Sequence, residues 1–193
     1  MAIFASGAGS NAEKIMEHFK NHPVVAVKLL LSSKKNAGVL QKAEKFGVDT
    51  IILDKNNFFD TSIYVKELQQ KDIDIIILAG FLWKVPANLV AAFQNRIINI
   101  HPALLPKYGG KGMYGHFVHE AVIQAKEKES GITIHLVDEA YDHGKHLFQA
   151  KCDIAPTDTP DDLASKIHIL EHQYFPTVID TYIEKHPALF SNC

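Results

Sequence analysis

The hydrophobic positions in the first half of the chain follow two alternating periods. Near-continuous apolar runs, which are typical of strands buried on both faces, lie at residues 2–5, 24–31, 50–53 and 73–78. Apolar residues at the spacing of an amphipathic helix occupy the segments between them, at residues 12–19, 39–46 and 64–68. Alternation of strands and helices predicts a parallel sheet that is covered by helices.

The second half of the chain has a different pattern. Apolar runs at residues 132–137 and 147–152 are separated by only nine residues, which is too short for a crossover helix and predicts an antiparallel pair. A long helix is predicted to follow, with Thr159 as its N-cap and Pro160 at its first position. Its first turn is acidic, with Asp161 and Asp162. Its apolar stripe consists of Leu163, Ile167, Leu170 and Tyr174.

Together these patterns predict an α/β fold: a Rossmann-like, mainly parallel sheet with helices on both faces and antiparallel strands in the C-terminal half. We expect a single domain over residues 1–193. About residues 1–100 would form a parallel, phosphate-binding half, and about residues 101–193 would carry the remaining chemistry.

Composition narrows the class of partner. The chain of 193 residues has a net charge of −2 and no block of Lys or Arg, which disfavours nucleic acid and an anionic membrane surface as partners. We find no apolar stretch near the ~20 residues that span a bilayer, and no signal peptide is expected. The cysteines, Cys152 and Cys193, are far apart, so a reduced, cytoplasmic protein is the simplest expectation.

Histidine pairs raise the question of a metal. His116 and His119, and likewise His143 and His146, have the i, i+3 spacing that two ligands on a helix can use. Neither pair has a nearby Cys or Glu that completes a zinc signature. We therefore expect no metal.

The strongest chemical feature is an asparagine and a histidine two residues apart. Asn99 and His101 end an apolar run and precede Pro102, which keeps His101 extended. Side chains at i and i+2 of a strand project from the same face, so both should point to one place. An amide beside an imidazole can grip a developing oxyanion and supply a proton. The alternative is a plain strand end with His101 bonded to the backbone.

Three further segments are candidates for binding or catalysis. The turn at residues 6–11 contains Gly9, Ser10 and Asn11 before the first helix and can hold a monophosphate, although a tight turn also needs glycine. Residues 79–86 follow a strand and can form an apolar slot for a flat heterocycle, or simply pack. Asp142 lies in a loop, where it would raise the pKa of His101 if the two are close, or otherwise cap a turn.

At these residues the chain resembles the phosphoribosylglycinamide formyltransferase family, folate-dependent enzymes of purine synthesis. The matching segments occur in order along nearly the whole chain: residues 6–11, 78–81, 99–106, 135–142 and 171–176. Combined, they are far more specific than any single motif.

The resemblance implies transfer of a formyl group from 10-formyltetrahydrofolate to the amine of glycinamide ribonucleotide, by a monomer or homodimer. His101 would be the proton donor, Asn99 a second donor to the oxyanion, and Asp142 the partner that raises the pKa of His101. Substrate-binding positions would be Gly9, Ser10, Asn11, His168, Ile169, Leu170 and Glu171. The folate pocket would contain Thr61, Leu82, Trp83, Lys84, Val85, Asn99, Asp138, Glu139, Ala140, Tyr141 and Asp142.

Two positions depart from the family pattern. Trp83 stands where many relatives carry an arginine, and Thr61 aligns with the other folate-side arginine. Since folates carry an acidic glutamate tail, loss of both cations implies weaker or differently anchored tail binding. The glycine-rich segment 108–115 is a candidate lid over the site.

Other enzymes that share the Asn, His and Asp set remain alternatives: a formyltetrahydrofolate hydrolase, or a sugar or tRNA formyltransferase. The hydrolase and the tRNA enzyme normally carry an additional domain that this sequence does not include. A non-catalytic nucleotide-binding module is an alternative of a different class, and the intact set of Asn99, His101 and Asp142 argues against it.

Overall fold

The computed structural model describes residues 1–190, so Cys193 lies outside the described residues. The strands are β1 (Ala2–Ala5), β2 (Leu29–Ser32), β3 (Asp49–Ile52), β4 (Ile76–Leu78), β5 (Ile97–His101), β6 (Glu129–Leu136) and β7 (His146–Asp153). The helices are α1 (Ser10–Phe19), α2 (Gly38–Lys45), α3 (Lys55–Asp60), α4 (Ile63–Gln70), α5 (Ala87–Ala92), α6 (His116–Gln124) and α7 (Pro160–Lys185), followed by a 3-10 turn at Pro187–Leu189.

All seven strands form one sheet in the order β3-β2-β1-β4-β5-β6-β7. The strands β1 to β5 pair in parallel, whereas β6 and β7 run antiparallel to their neighbours. This arrangement confirms the predicted fold class. The chain leaves β1 toward β2 on one side and later returns to place β4 on the other side. Such a reversal of strand order opens a crevice at the carboxyl ends of the strands, where ligands bind in open α/β sheets.

Helices cover both faces of the sheet because successive strand residues point to opposite sides. Ile3 and its neighbours on one face pack with α1, α2, α6 and α7. Phe4 and its neighbours on the other face pack with α3, α4 and α5. Each face therefore has its own core, and the crevice lies between the loops that connect them.

Two predicted strands differ from the structure. Residues 24–28 are not part of β2, and the Val24 side chain is 83% exposed; the backbones of Ala26 and Lys28 hydrogen-bond to Met1, which precedes β1. Strand β3 lies at the sheet edge with three of its four residues exposed, so its apolar composition does not reflect burial on both faces. The sequence prediction also missed α3, whose N-cap Asp54 accepts a hydrogen bond from the amide of Asn57.

The long C-terminal helix follows the prediction closely at its start. Thr159 and Asp162 form a reciprocal capping box, with Pro160 in the first turn, and this arrangement satisfies amide groups that the helix itself leaves unpaired. The helix buries Leu163 and Ile167, and it continues through Pro176 to Lys185. Its middle turns pass beside α1 and bring polar side chains to the crevice.

Candidate active site

A cleft of about 790 Å³ occupies the crevice at the carboxyl ends of β1, β4 and β5. The turn after β1 forms one wall, the loop after β4 a second, and the segments 110–115 and 138–142 close the remaining sides. Pockets for small molecules and cofactors commonly have volumes of about 300–1,000 Å³. The cleft is therefore large enough for a substantial ligand beside a small one.

His101 is the last residue of β5 and is only 3% exposed. Its Nε2 donates to the backbone oxygen of Tyr108 at 2.7 Å, and its Nδ1 lies 3.6 Å from Oδ2 of Asp142. The backbone contact that was the alternative for His101 is thus present, together with the predicted carboxylate. Because the neutral ring donates from Nε2, Nδ1 is the atom that gains or releases a proton.

Two effects act on the charge of His101 in opposite directions. Burial is the larger and lowers its pKa, while the Asp142 carboxylate and the Tyr108 carbonyl raise it, and the net pKa lies below the ordinary value for histidine. Asp142 therefore acts in the predicted direction, but burial outweighs it. These effects therefore leave His101 mainly uncharged near neutral pH when no substrate is bound.

Asp142 joins two loops at the cleft. Its Oδ2 accepts a hydrogen bond from the amide of Gly110 at 2.9 Å, and its Oδ1 lies 3.7 Å from Nε2 of His135. Burial acts to raise the pKa of Asp142, but the contacts with His135, His101 and Gly110 outweigh it and hold that pKa below its usual value. Asp142 is thus an ionised carboxylate that faces the catalytic candidate.

His135 is a residue of the site for which sequence reasoning gave no role. It lies on β6 directly opposite Asn99 of β5, and its Nε2 is 3.1 Å from Nδ2 of Asn99. Nδ1 of His135 donates to the oxygen of Leu136 at 2.8 Å, so in this tautomer Nε2 accepts from Asn99 and fixes the orientation of that amide. Only the register between β5 and β6 reveals this contact, and register is not readable from either strand alone.

The turn after β1 approaches α2 so closely that only glycine fits. Gly9 has φ of +76°, and a Cβ at this position would lie 2.3 Å from Cγ2 of Val39. Gly9 is the N-cap of α1 and provides no side-chain cap, so the first amides of the helix face the cleft without an internal partner. The geometry is that of an anion site at a helix N-terminus.

Asn11 and Glu171 connect the start of α1 with the middle of α7. The Nδ2 atom of Asn11 donates to Oε2 of Glu171 at 2.8 Å, across 160 residues of sequence. Glu171 is 6% exposed, and burial raises its pKa although Asn11 counteracts this. This buried carboxylate accepts from one amide, and Nε2 of His168 lies 4.0 Å from Oε2, so it has acceptor capacity left for hydroxyl groups of a ligand.

The loop after β4 forms the apolar wall of the cleft. Trp83 packs against Phe58, Phe59 and Phe81, with ring centroids 5.5, 5.6 and 6.2 Å away. Lys84 places its ammonium 5.4 Å from the centroid of the Tyr141 ring. Trp83 therefore extends an aromatic cluster, and the neighbouring lysine supplies a positive charge at the mouth of the cleft.

Most of the predicted site residues line this cleft, but four do not. Thr61, Glu139, Ile169 and Leu170 lie outside its lining. The Ile169 side chain is 65% exposed on α7. The carbonyl of Thr61 instead accepts from Nδ2 of Asn88 at 2.9 Å. The roles given to these four residues have no geometric support and stay predictions.

The cleft also contains residues that the sequence analysis did not place there, in particular Lys34 and the buried His119. Over residues 1–190, no group of three or more His, Cys, Asp or Glu side chains is arranged to hold a metal ion. In the same part of the chain, no helix is both long enough and apolar enough to cross a membrane.

Comparisons with known proteins agree on one family. A family described as formyl transferase matches residues 1–179. The chain is 39% identical over 191 residues to the chloroplastic phosphoribosylglycinamide formyltransferase of Arabidopsis thaliana, covering 96% of this chain and 65% of that protein. It is 33% identical to the phosphoribosylglycinamide formyltransferase of Bacillus subtilis (strain 168), covering 92% and 91% of the two chains.

Solved structures have the same fold. Glycinamide ribonucleotide transformylase 1 from Symbiobacterium toebii superposes with a TM-score of 0.87 at 28% identity, covering 96% of this chain and 87% of that one. The phosphoribosylglycinamide formyltransferase of Bacillus halodurans gives 0.85 at 34% identity, with 95% of each chain covered. The chain spans less than two thirds of the length of the plant relatives, at 65% and 61%.

Proposed function

The chain belongs to the formyl transferase family, and within it to the phosphoribosylglycinamide formyltransferases; from this premise we propose that it formylates glycinamide ribonucleotide. The donor is 10-formyltetrahydrofolate, and the products are formylglycinamide ribonucleotide and tetrahydrofolate. The observation that supports this most strongly is the convergence of His101, Asn99 and Asp142 in one cleft beside a helix N-terminus suited to a phosphate.

The two substrates fit different parts of the cleft. The amides of Gly9, Ser10 and Asn11 hold the phosphate of the ribonucleotide, and Glu171 accepts hydrogen bonds from its ribose hydroxyls. His168 borders the same side. The apolar wall formed by the loop after β4, together with Asp138, Ala140 and Tyr141, receives the flat ring of the folate, which supplies the formyl group.

The residues then act on one oxygen. The amine of the acceptor attacks the formyl carbon, and negative charge builds on the formyl oxygen. His101 stabilises this charge by donating from Nδ1, and Asn99 donates with the N–H of its amide that His135 does not use. Asp142 stabilises the charged form of His101 and orients a water that carries the proton from the amine to the departing folate nitrogen.

Loss of one donor to an oxyanion typically costs about 10²–10³ in kcat. Asn99 therefore contributes to the rate, whereas Gly9, Ser10, Asn11 and Glu171 contribute to binding and orientation of the acceptor. Phosphate binding is thus proposed for about the first half of the chain. His101 and Asp142 belong to the second half, Asn99 ends the first, and the folate contacts come from both halves.

The proposal is tested by a formyl-transfer assay with purified protein and 10-formyltetrahydrofolate. Glycinamide ribonucleotide, a nucleotide-linked amino sugar, methionyl-tRNA and water are offered as acceptors in separate reactions. We expect turnover with glycinamide ribonucleotide, loss of turnover in His101→Asn, and no loss in the control His146→Asn, which alters an exposed residue at the start of β7. Folate hydrolysis without an acceptor would instead identify a hydrolase, and no turnover with any acceptor would favour a non-catalytic binding module.

Location and assembly are proposals of the same kind. The plant relatives are chloroplastic, so the cytoplasmic location expected from the sequence stays a prediction. A monomer or homodimer is expected, and sedimentation of the purified protein distinguishes the two.

A further inference from the structure

His119 is a buried polar residue of the cleft that the proposed reaction does not use. It lies in α6, is 5% exposed, and lines the same cavity as His101, His168 and Glu171. Its Nδ1 is buried without a hydrogen-bond partner. A buried ring that makes no hydrogen bond is costly, and a ligand can supply one only at the ring atom that the cleft reaches.

The two ring nitrogens of His119 are not equivalent. Nδ1 is enclosed by protein. Nε2 also makes no hydrogen bond within residues 1–190, but it is not enclosed. Nε2 is therefore the ring atom open to the cleft. An orphaned buried N–H is rarer in proteins than an under-satisfied acceptor, which favours the tautomer with the proton on Nε2.

The ring is also uncharged at neutral pH. Burial lowers the pKa of His119 to about 4, and the neighbouring His168, His116 and His101 add to the effect. An uncharged donor does not compete with the start of α1 for the substrate phosphate. It can hold a neutral oxygen without disturbing the charge balance between His101 and Asp142.

Resting on the function proposed above, we propose that His119 is a specificity-determining residue that donates from Nε2 to a neutral oxygen of the bound ribosyl acceptor. His119 lines the same cleft as Glu171 and His101, and it is near enough to His168 and His101 for their charges to act on it, which leaves two sources for that oxygen, a ribose hydroxyl or the glycinamide carbonyl. In either case His119 contacts the acceptor and not the folate.

The test compares His119→Leu, which removes the donor, with His119→Gln, whose amide nitrogen can donate from nearly the same place. Loss of a neutral hydrogen bond predicts a roughly 3- to 10-fold rise of KM for glycinamide ribonucleotide in His119→Leu, with an unchanged KM for 10-formyltetrahydrofolate. His119→Gln should recover most of the loss. His146→Leu is the matched control, and thermal unfolding reports whether each variant is folded.

Inhibition by ribose 5-phosphate, which lacks the glycinamide arm, separates the two sources. An equal rise of its Ki in His119→Leu identifies a ribose hydroxyl, and an unchanged Ki identifies the glycinamide carbonyl. Because the donor is uncharged, the ratio of KM values between variant and wild type should be constant between about pH 6 and 8.

Three results would overturn the proposal. These are an unchanged acceptor KM in folded His119→Leu, an equal rise of KM for both substrates, or a His119→Gln variant as impaired as His119→Leu. Failure of the proposed function is a separate result, since wild-type protein would then not formylate glycinamide ribonucleotide at all. Direct titration with ribose 5-phosphate would in that case still report whether His119 contacts a ribosyl ligand.

Discussion

Replacement of Asp142 by asparagine tests the central electrostatic claim about the site. The change keeps the shape of the side chain, and its amide oxygen can still accept from Gly110, but it removes the negative charge 3.6 Å from Nδ1 of His101. Since that charge raises the pKa of His101 against the effect of burial, its removal lowers the pKa further. The form of His101 that donates to the formyl oxygen becomes scarcer at neutral pH.

The size of the effect follows from the geometry. Two unit charges about 4 Å apart interact by about 4 kcal/mol at an effective dielectric constant of about 20, which corresponds to about a thousandfold in rate if all of it acts in the transition state. The amide dipole of the substituted side chain restores part of this interaction, so we expect kcat at neutral pH to fall by about 10²–10³.

The assay is the pH dependence of kcat for wild type, Asp142→Asn and the control Asp49→Asn, which alters an exposed carboxylate on the edge strand β3. The limb on which activity is lost as pH rises reports deprotonation of His101 in the bound complex. This limb should move to lower pH in Asp142→Asn only. A full rate with an unshifted limb would show that Asp142 merely ties its loop to Gly110.

Other positions give sharper or independent tests. Asn99→Ala should lower kcat by about 10²–10³ without moving the His101 limb, and a shifted limb would contradict its role as a simple donor. Asn11→Ala should raise KM for the acceptor far more than for the folate, by the roughly 1.5–3 kcal/mol of a hydrogen bond to a charged group, because it leaves the Glu171 carboxylate without the donor that orients it; an unchanged acceptor KM would show that this contact does not support acceptor binding. Trp83→Arg should strengthen binding of polyglutamylated over monoglutamylated folate in titrations, and equal gains for both would place the tail elsewhere. Thr159→Ala should lower the free energy of unfolding by about 1 kcal/mol with kcat unchanged, and an unaltered denaturation midpoint would contradict the capping role.

The parts of the fold that follow from the sequence are those with a strong period. The apolar spacing of α1 and the chemistry of Thr159 and Pro160 at the start of α7 are local signals, and both agree with the structure. The prediction of a strand at residues 24–28 was wrong, because hydrophobicity does not show whether a neighbouring strand is available for pairing. Val24 is apolar and yet exposed, since pairing depends on chain segments far away in sequence.

The candidate site divides in the same way. The i, i+2 spacing of Asn99 and His101 suffices to place both at the end of one strand. The contact of Asn99 with His135 depends on strand register, and that of Asn11 with Glu171 joins residues 160 apart. Neither contact has a local signal, so only the folded structure reveals them.

Burial and Asp142 act on the pKa of His101 in opposite directions, and this balance matters for catalysis. Asp142 alone does not offset burial, so the imidazolium is the minor form of the ring before the substrates bind. Because burial keeps the pKa low in the protein alone, a further negative charge is needed to favour the imidazolium. The formyl oxygen supplies that charge only as the amine attacks, beside an Nδ1 already faced by Asp142. The charged ring therefore interacts more strongly with the oxyanion than with the neutral formyl group, which is the condition for an interaction to raise kcat and not merely to tighten binding.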